Sequence, residues 1–178
     1  MAGPRWLSED ELRSWRSLQM MHMRLTARLA RDLAAHSGLS YQDYVVLVAL
    51  TDQPNGSVRL FELAAWLGWE KSRLSHQVSR MVERGLVRKH GCASDRRGAI
   101  VEVSAQGRAE LAQAAPSHAD AVRRLFVDLL SPAELAELGR LSERVLQAVE
   151  NEERDFCGPE HRCCPGEEGE SPGDDKGR

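Results

Sequence analysis

The sequence predicts a mainly α-helical chain with one small β-hairpin, and three observations carry that expectation. Apolar residues recur at spacings of three and four along most of the first 156 positions. Serine-headed capping signals stand directly in front of several of these runs. Two short β-prone segments flank a polar loop bounded by glycines. The 178 residues are 42% apolar and 29% charged, ordinary for one globular domain with extensions.

Ser8 and Glu11 form a capping box ahead of the first long helix. Leu18, His22, Leu25, Leu29 and Leu33 make one stripe along it, and Gly38 is expected to end it in the left-handed C′ position. Ser40 and Asp43 open a second, shorter helix. Tyr44 to Leu50 is apolar on every side, so this helix is expected to be buried. The run Asp52-Gln53-Pro54-Asn55-Gly56 stops it, and Val58-Arg59 reads as a short extended piece. Leu60 to Leu67 is a compact helix closed by Gly68. Glu70 to Arg84 is the next, with Leu74, Val78, Met81 and Val82 inward and Arg73, His76, Gln77 and Arg80 outward, ended by Gly85. Leu86–His90 and Ala99–Val103 are the hairpin strands. Ser104 leads into a long helix to about Leu130, with a kink or offset expected at Pro116. Ser131-Pro132-Ala133-Glu134 starts the last helix, striped by Leu135, Leu138, Leu141, Val145 and Val149.

Helix, turn, helix and hairpin in this order read as a winged helix-turn-helix. Long N- and C-terminal helices flank it, with apolar stripes that nothing obvious in one chain covers; partner chains would. The expected organisation is an N-terminal dimerisation helix over 1–39, the winged helix-turn-helix over 40–104 and C-terminal dimerisation helices over 105–156. A disordered acidic tail over 157–178 follows, because that stretch holds no large apolar residue and eight Gly or Pro.

The formal net charge of −3 hides an uneven distribution. Val58 to Arg97 carries nine basic and four acidic residues, a balance of +5, whereas Glu150 to Arg178 carries four basic and ten acidic, a balance of −6. A basic helix-plus-hairpin is the footprint of a protein that binds double-stranded DNA. On the recognition helix, Ser72, Arg73, Ser75, His76 and Arg80 are the candidate major-groove residues. At the wing, Asp95, Arg96 and Arg97 suit the narrow minor groove, and Lys71, Arg88 and Lys89 would support the DNA backbone. A solvated charged face is the bland alternative for each element alone; order, spacing and charge together favour DNA.

The stretch from Leu60 to Gly107 resembles the MarR family of bacterial transcriptional regulators. The residues that carry the resemblance are Glu62-Leu63-Ala64, Lys71-Ser72-Arg73-Leu74-Ser75 and Arg80-Met81-Val82-Glu83-Arg84-Gly85-Leu86-Val87. The wing Asp95-Arg96-Arg97-Gly98 and the run Val101-Glu102-Val103-Ser104-Ala105-Gln106-Gly107 complete it. The resemblance implies a homodimer on a pseudo-palindromic operator, most often a repressor, with a small aromatic or phenolic effector for many members. It implies no catalysis and no cofactor, and the sequence holds no nucleophile–base pair, phosphate loop or paired-carboxylate signature.

Candidate effector-pocket residues are Trp15, His22, Tyr41, Tyr44 and His118, against the plainer reading that they are core or interface residues. A phenolic carboxylate would then weaken operator binding. Cys157, His161, Cys163 and Cys164 in the tail offer a metal- or redox-responsive alternative, although their spacing is no standard zinc pattern. A winged-helix protein-interaction module is the other alternative. No membrane-length apolar run and no secretory leader pattern is read, so the expected location is cytoplasmic, on the nucleoid, with no membrane partner.

Overall fold

The computed structural model describes residues 4–91 and 98–156, with side chains to 152. Six helices and three strands occur among them: α1 (Glu9–His36), α2 (Tyr41–Thr51), β1 (Ser57–Arg59), α3 (Leu60–Leu67), α4 (Lys71–Glu83), β2 (Val87–Gly91), β3 (Ala99–Val103), α5 (Ala105–Leu125) and α6 (Pro132–Phe156), with a 3-10 turn at Val127–Leu129. The chain divides into two compact units between Leu129 and Leu130.

In the first unit, α1 begins with the expected capping box: Ser8 N–H donates to Glu11 (2.7 Å) and Glu11 N–H to Ser8 Oγ (3.3 Å). Its end differs from expectation. Gly38 is not left-handed; Ser37 caps α1 in extended backbone, its hydroxyl donating to the Leu33 carbonyl at 2.9 Å. A serine at that point already satisfies a last-turn carbonyl, so no glycine is needed there. Only the C-terminal part of the α1 stripe is buried, at Leu29 and Leu33, while Leu18 is 50% exposed.

The core is built around α2, with Val46, Leu47 and Leu50 fully enclosed, as the continuous apolar run predicts. Leu60, Leu63, Leu74, Val78, Met81, Leu86, Val101 and Val103 complete it. Val82, expected inward on α4, is 40% exposed. The hairpin is one part of a three-stranded antiparallel sheet of order β1-β3-β2, because Ser57–Arg59 pairs with Glu102, Val101 and Ile100 of β3. The sequence marks Val58-Arg59 only as a short extended piece. α5 runs through Pro116 without a break. Asp32 of α1 accepts from Arg28 (2.9 Å) and from Arg124 of α5 (3.1 Å).

The second unit is α6 among the described residues. Ser131 caps it, its backbone N–H donating to Glu134 (2.8 Å) and its Oγ accepting from the Glu134 N–H (3.3 Å). Its stripe ends in exposed Val145 and Val149. No described helix is long and apolar enough to cross a membrane.

Candidate nucleic-acid interface and adjoining cavity

The turn between α3 and α4 is made by Gly68, which is left-handed at φ +62°. Trp69 N–H reaches back to the Ala64 carbonyl (2.9 Å) and Gly68 N–H to Ala65 (3.1 Å), a Schellman closure that fixes Trp69 against the core. α4 then starts at Lys71, and burying Leu74, Val78 and Met81 turns Lys71, Ser72, Arg73, His76 and Arg80 to solvent. Ser75 is half-buried at the edge of this face. The guanidinium carbon of Arg73 lies 4.6 Å from the centre of the Trp69 ring. Arg88 and Lys89 are exposed on β2. Asp95, Arg96 and Arg97 fall outside the described residues, as does the tail group Cys157, His161, Cys163 and Cys164. Among the described residues, no group of three or more His, Cys, Asp or Glu is placed to hold a metal.

Gln77, expected on the solvent face of α4, and Arg84 at its C-cap both turn to a buried carboxylate. Gln77 donates to Asp43 Oδ1 (2.6 Å), and Arg84 donates to Asp43 Oδ2 (2.6 Å) and to the Gly38 carbonyl (2.7 Å). Asp43 is only 1% exposed and also closes the α2 capping box, accepting from the Ser40 N–H at 2.9 Å. Burial pushes the Asp43 carboxyl up, but hydrogen bonds from Arg84 and Ser40 outweigh it and hold the group below the usual carboxylate range. The charge of Arg84, whose side chain is still 42% exposed, is therefore paired with a buried carboxylate, and the unpaired positive charge of the region is smaller than its sequence count. The sequence announces Asp43 only as a capping residue. The signal that locates its partners is the seven-residue spacing of Gln77 and Arg84, which puts both on one helix face.

The strand end of the interface is clasped to α5. Ser104 Oγ sits at 2.5 Å from the Gly85 carbonyl and accepts from Gly107 N–H at 2.9 Å, while Ser104 N–H donates to the Leu86 carbonyl at 3.1 Å. Gly85 supplies the left-handed exit from α4 at φ +72°.

A cavity of about 120 Å³ lies behind this module, lined by Tyr41, Tyr44, Val45, Val48, Trp66 and His118. It brings together three of the five residues expected to line a pocket. Trp15 and His22 do not line it; they are exposed on α1. The register of the α1 stripe put His22 beside Leu18 and Leu25, yet this half of the stripe has nothing over it among the described residues of the unit. The Tyr44 and His118 rings are 4.4 Å apart at 43°. Burial pushes the His118 pKa down and the Tyr44 pKa up, so both stay uncharged near neutral pH. Among the described residues, no Asp, Glu, Lys or Arg lines the space. Trp66, whose i,i+4 relation to other α3 residues gave no hint of this role, was missed.

A family model described as MarR family matches residues 37–98. The chain is 32% identical over 123 residues to the transcriptional regulator HosA of Escherichia coli, an alignment covering 68% of this chain and 86% of HosA. Two solved structures from Streptomyces coelicolor are similar at 36% identity. AbsC, a MarR family transcriptional regulator, superposes with a TM-score of 0.76 over 83% of this chain and 99% of its own. Sco3205, a MarR family transcriptional regulator solved in complex with DNA, superposes with a TM-score of 0.77 over 82% of this chain and 91% of its own.

Proposed function

The chain belongs to the MarR family of DNA-binding transcriptional regulators, and from that premise we propose that it is a homodimeric repressor, working in the cytoplasm on the nucleoid and released from its operator by a small aromatic or phenolic ligand. The observation that carries the DNA half is the exposed α4 face. Ser72, Arg73 and His76 are offered to base edges, and Lys71, Arg80, Arg88 and Lys89 to phosphates. Ser75 stands at the edge of that face. Asp95, Arg96 and Arg97 remain assigned to the minor groove on sequence grounds. Exposed apolar side chains on α1 and α6 support a second copy of the chain as their cover, and two copies would meet a pseudo-palindromic operator.

A titration of salt against affinity separates this reading from a protein-interaction module. Affinity for a promoter duplex should fall steeply with added salt. Lys71→Ala or Arg80→Ala should weaken binding to all duplexes alike and lower the salt slope by about 1 each. A slope near zero in the wild type would sink the reading.

The uncharged cavity supports the ligand half, since a single aromatic ring fits a space of this order. Uncharged lining favours a neutral phenol over the phenolic carboxylate expected from sequence, because an anion there would be desolvated without a counter-charge. Val48→Phe fills the cavity and should leave operator affinity within about twofold while abolishing release by a phenol in a gel shift. Release that persists unchanged in that variant would place the effector elsewhere.

A further inference from the structure

We infer that Trp69 is a positioning residue for sequence reading: its ring holds the Arg73 guanidinium in place for a guanine edge without using up the groups that read it. The inference rests on the proposal that Arg73 contacts bases. The fold orders its arginines in two different ways. Arg84 is ordered by a buried carboxylate, which takes one of its N–H groups and pairs its charge, and by the Gly38 carbonyl, which takes another. Arg73 is ordered by an aromatic face. Among the described residues no carboxylate pairs with it, and its charge is left whole.

The geometry of the two interactions makes them compatible. A cation over an indole uses the flat face of the guanidinium. Bidentate pairing with guanine O6 and N7 uses the N–H groups along its edge. Stacked flat on the ring, the guanidinium keeps the edge donors that reading requires. Contact with Trp69 does remove freedom: an arginine side chain has among the largest rotamer entropies to lose on binding, and a guanidinium already parked 4.6 Å above a ring has lost part of it beforehand. Tryptophan is the strongest partner for this role. Trp69 is held in place by three features. The Schellman closure fixes its backbone, its body packs against the core, and α4 begins two residues later. The left-handed Gly68 that makes the helix-turn-helix turn thus also sets where Arg73 points. Trp69 and Arg73 are four apart, so the first turn of α4 brings them together.

Selection of bound sequences from a random duplex library, run with the full-length protein, tests this. Wild type should enrich a guanine at one position of each half-site. Arg73→Ala should flatten that position by roughly 5- to 150-fold. Trp69→Leu should reduce the same preference about fivefold and leave the other positions and the salt slope unchanged. Trp69→Phe should restore most of it, since phenylalanine still offers a ring face. Added to Arg73→Ala, Trp69→Leu should have no further effect on that position. If Arg73→Ala changes no position, the reading of Arg73 itself fails. If Arg73→Ala flattens a position that Trp69→Leu leaves intact, Arg73 reads without help and the inference is overturned. If Trp69→Leu weakens every position equally, and does so again on the Arg73→Ala background, Trp69 is only a packing residue and the inference is likewise overturned. Thermal unfolding of Trp69→Phe and Trp69→Leu verifies that both are folded when compared.

Discussion

Asp43→Ala is expected to cost the fold about 3 kcal/mol, lowering the melting temperature by roughly 6–12 °C. A surface ion pair would be worth under about 1 kcal/mol; Asp43 differs because it is 1% exposed and receives three donors from two different elements. Removing it leaves the Gln77 amide and the Ser40 N–H without their acceptor, each a buried or half-buried polar group that costs about 1–3 kcal/mol to strand. The Arg84 side chain is 42% exposed and can turn to water, which keeps the loss near the lower end for a buried pair. Asp43→Asn should lose about half as much, because it keeps the shape but sets an amide N–H among donors. The pH dependence follows from the lowered carboxyl pKa. A carboxyl held below its unfolded value contributes stability that is complete above about pH 4 and is lost as pH falls through the folded value. The gap between wild type and Asp43→Asn should therefore close below about pH 4. Denaturant unfolding at pH 7 and pH 3 measures it, and an equal gap at both would show that the charge carries none of the effect. Because the network joins α4 to Gly38 and Ser40, the variants should also bind operator less selectively than their folded fraction explains.

Local signals made most of the fold legible. The capping serines, the helix-ending Gly68 and Gly85, and the period of α4 all act within one turn, and each is where the pattern puts it except at Val82 and Gln77. What the sequence concealed acts at long range. β1 joins the sheet through pairing with residues over forty positions away, which three alternating residues cannot announce. Asp43 satisfies a local cap and a distant arginine with the same carboxylate, so the local role masked the other. The candidate site divides in the same way. The outward face of α4 followed from helix period, whereas the cavity depends on how α2, α3 and α5 meet, and His22 was drawn into it by a stripe that this unit leaves open.

Gly107 sets two rules against each other, and the steric one should win. In the interior of a helix, glycine to alanine gains about 1 kcal/mol from backbone entropy. At Gly107, however, a Cβ would stand 2.1 Å from the Leu86 carbonyl oxygen and 3.0 Å from both the Leu86 carbonyl carbon and Leu47 Cδ2. Two of those atoms are backbone, so relief requires α5 and the start of β2 to separate. That movement would stretch the bonds between Ser104 and both Leu86 and Gly85. Overpacking of a close-packed site costs about 1–3 kcal/mol even when side chains can yield, and here they cannot. Gly107→Ala is therefore expected to destabilise the protein by about 3 kcal/mol in denaturant unfolding. Gly139→Ala in α6 is the counterpart: a Cβ there meets nothing within 4 Å, so the propensity term acts alone and the change should be neutral or stabilising by up to about 1 kcal/mol. A Gly107→Ala protein as stable as wild type would mean that α5 is not pressed against Leu86 in solution. The clasp has a functional side, because the same helix carries His118 into the cavity and the same strand carries Arg88 and Lys89 on the exposed face. On the proposed reading, in which a ligand in the cavity acts on the DNA-binding face, the close approach that only glycine allows supplies the stiff joint between the two.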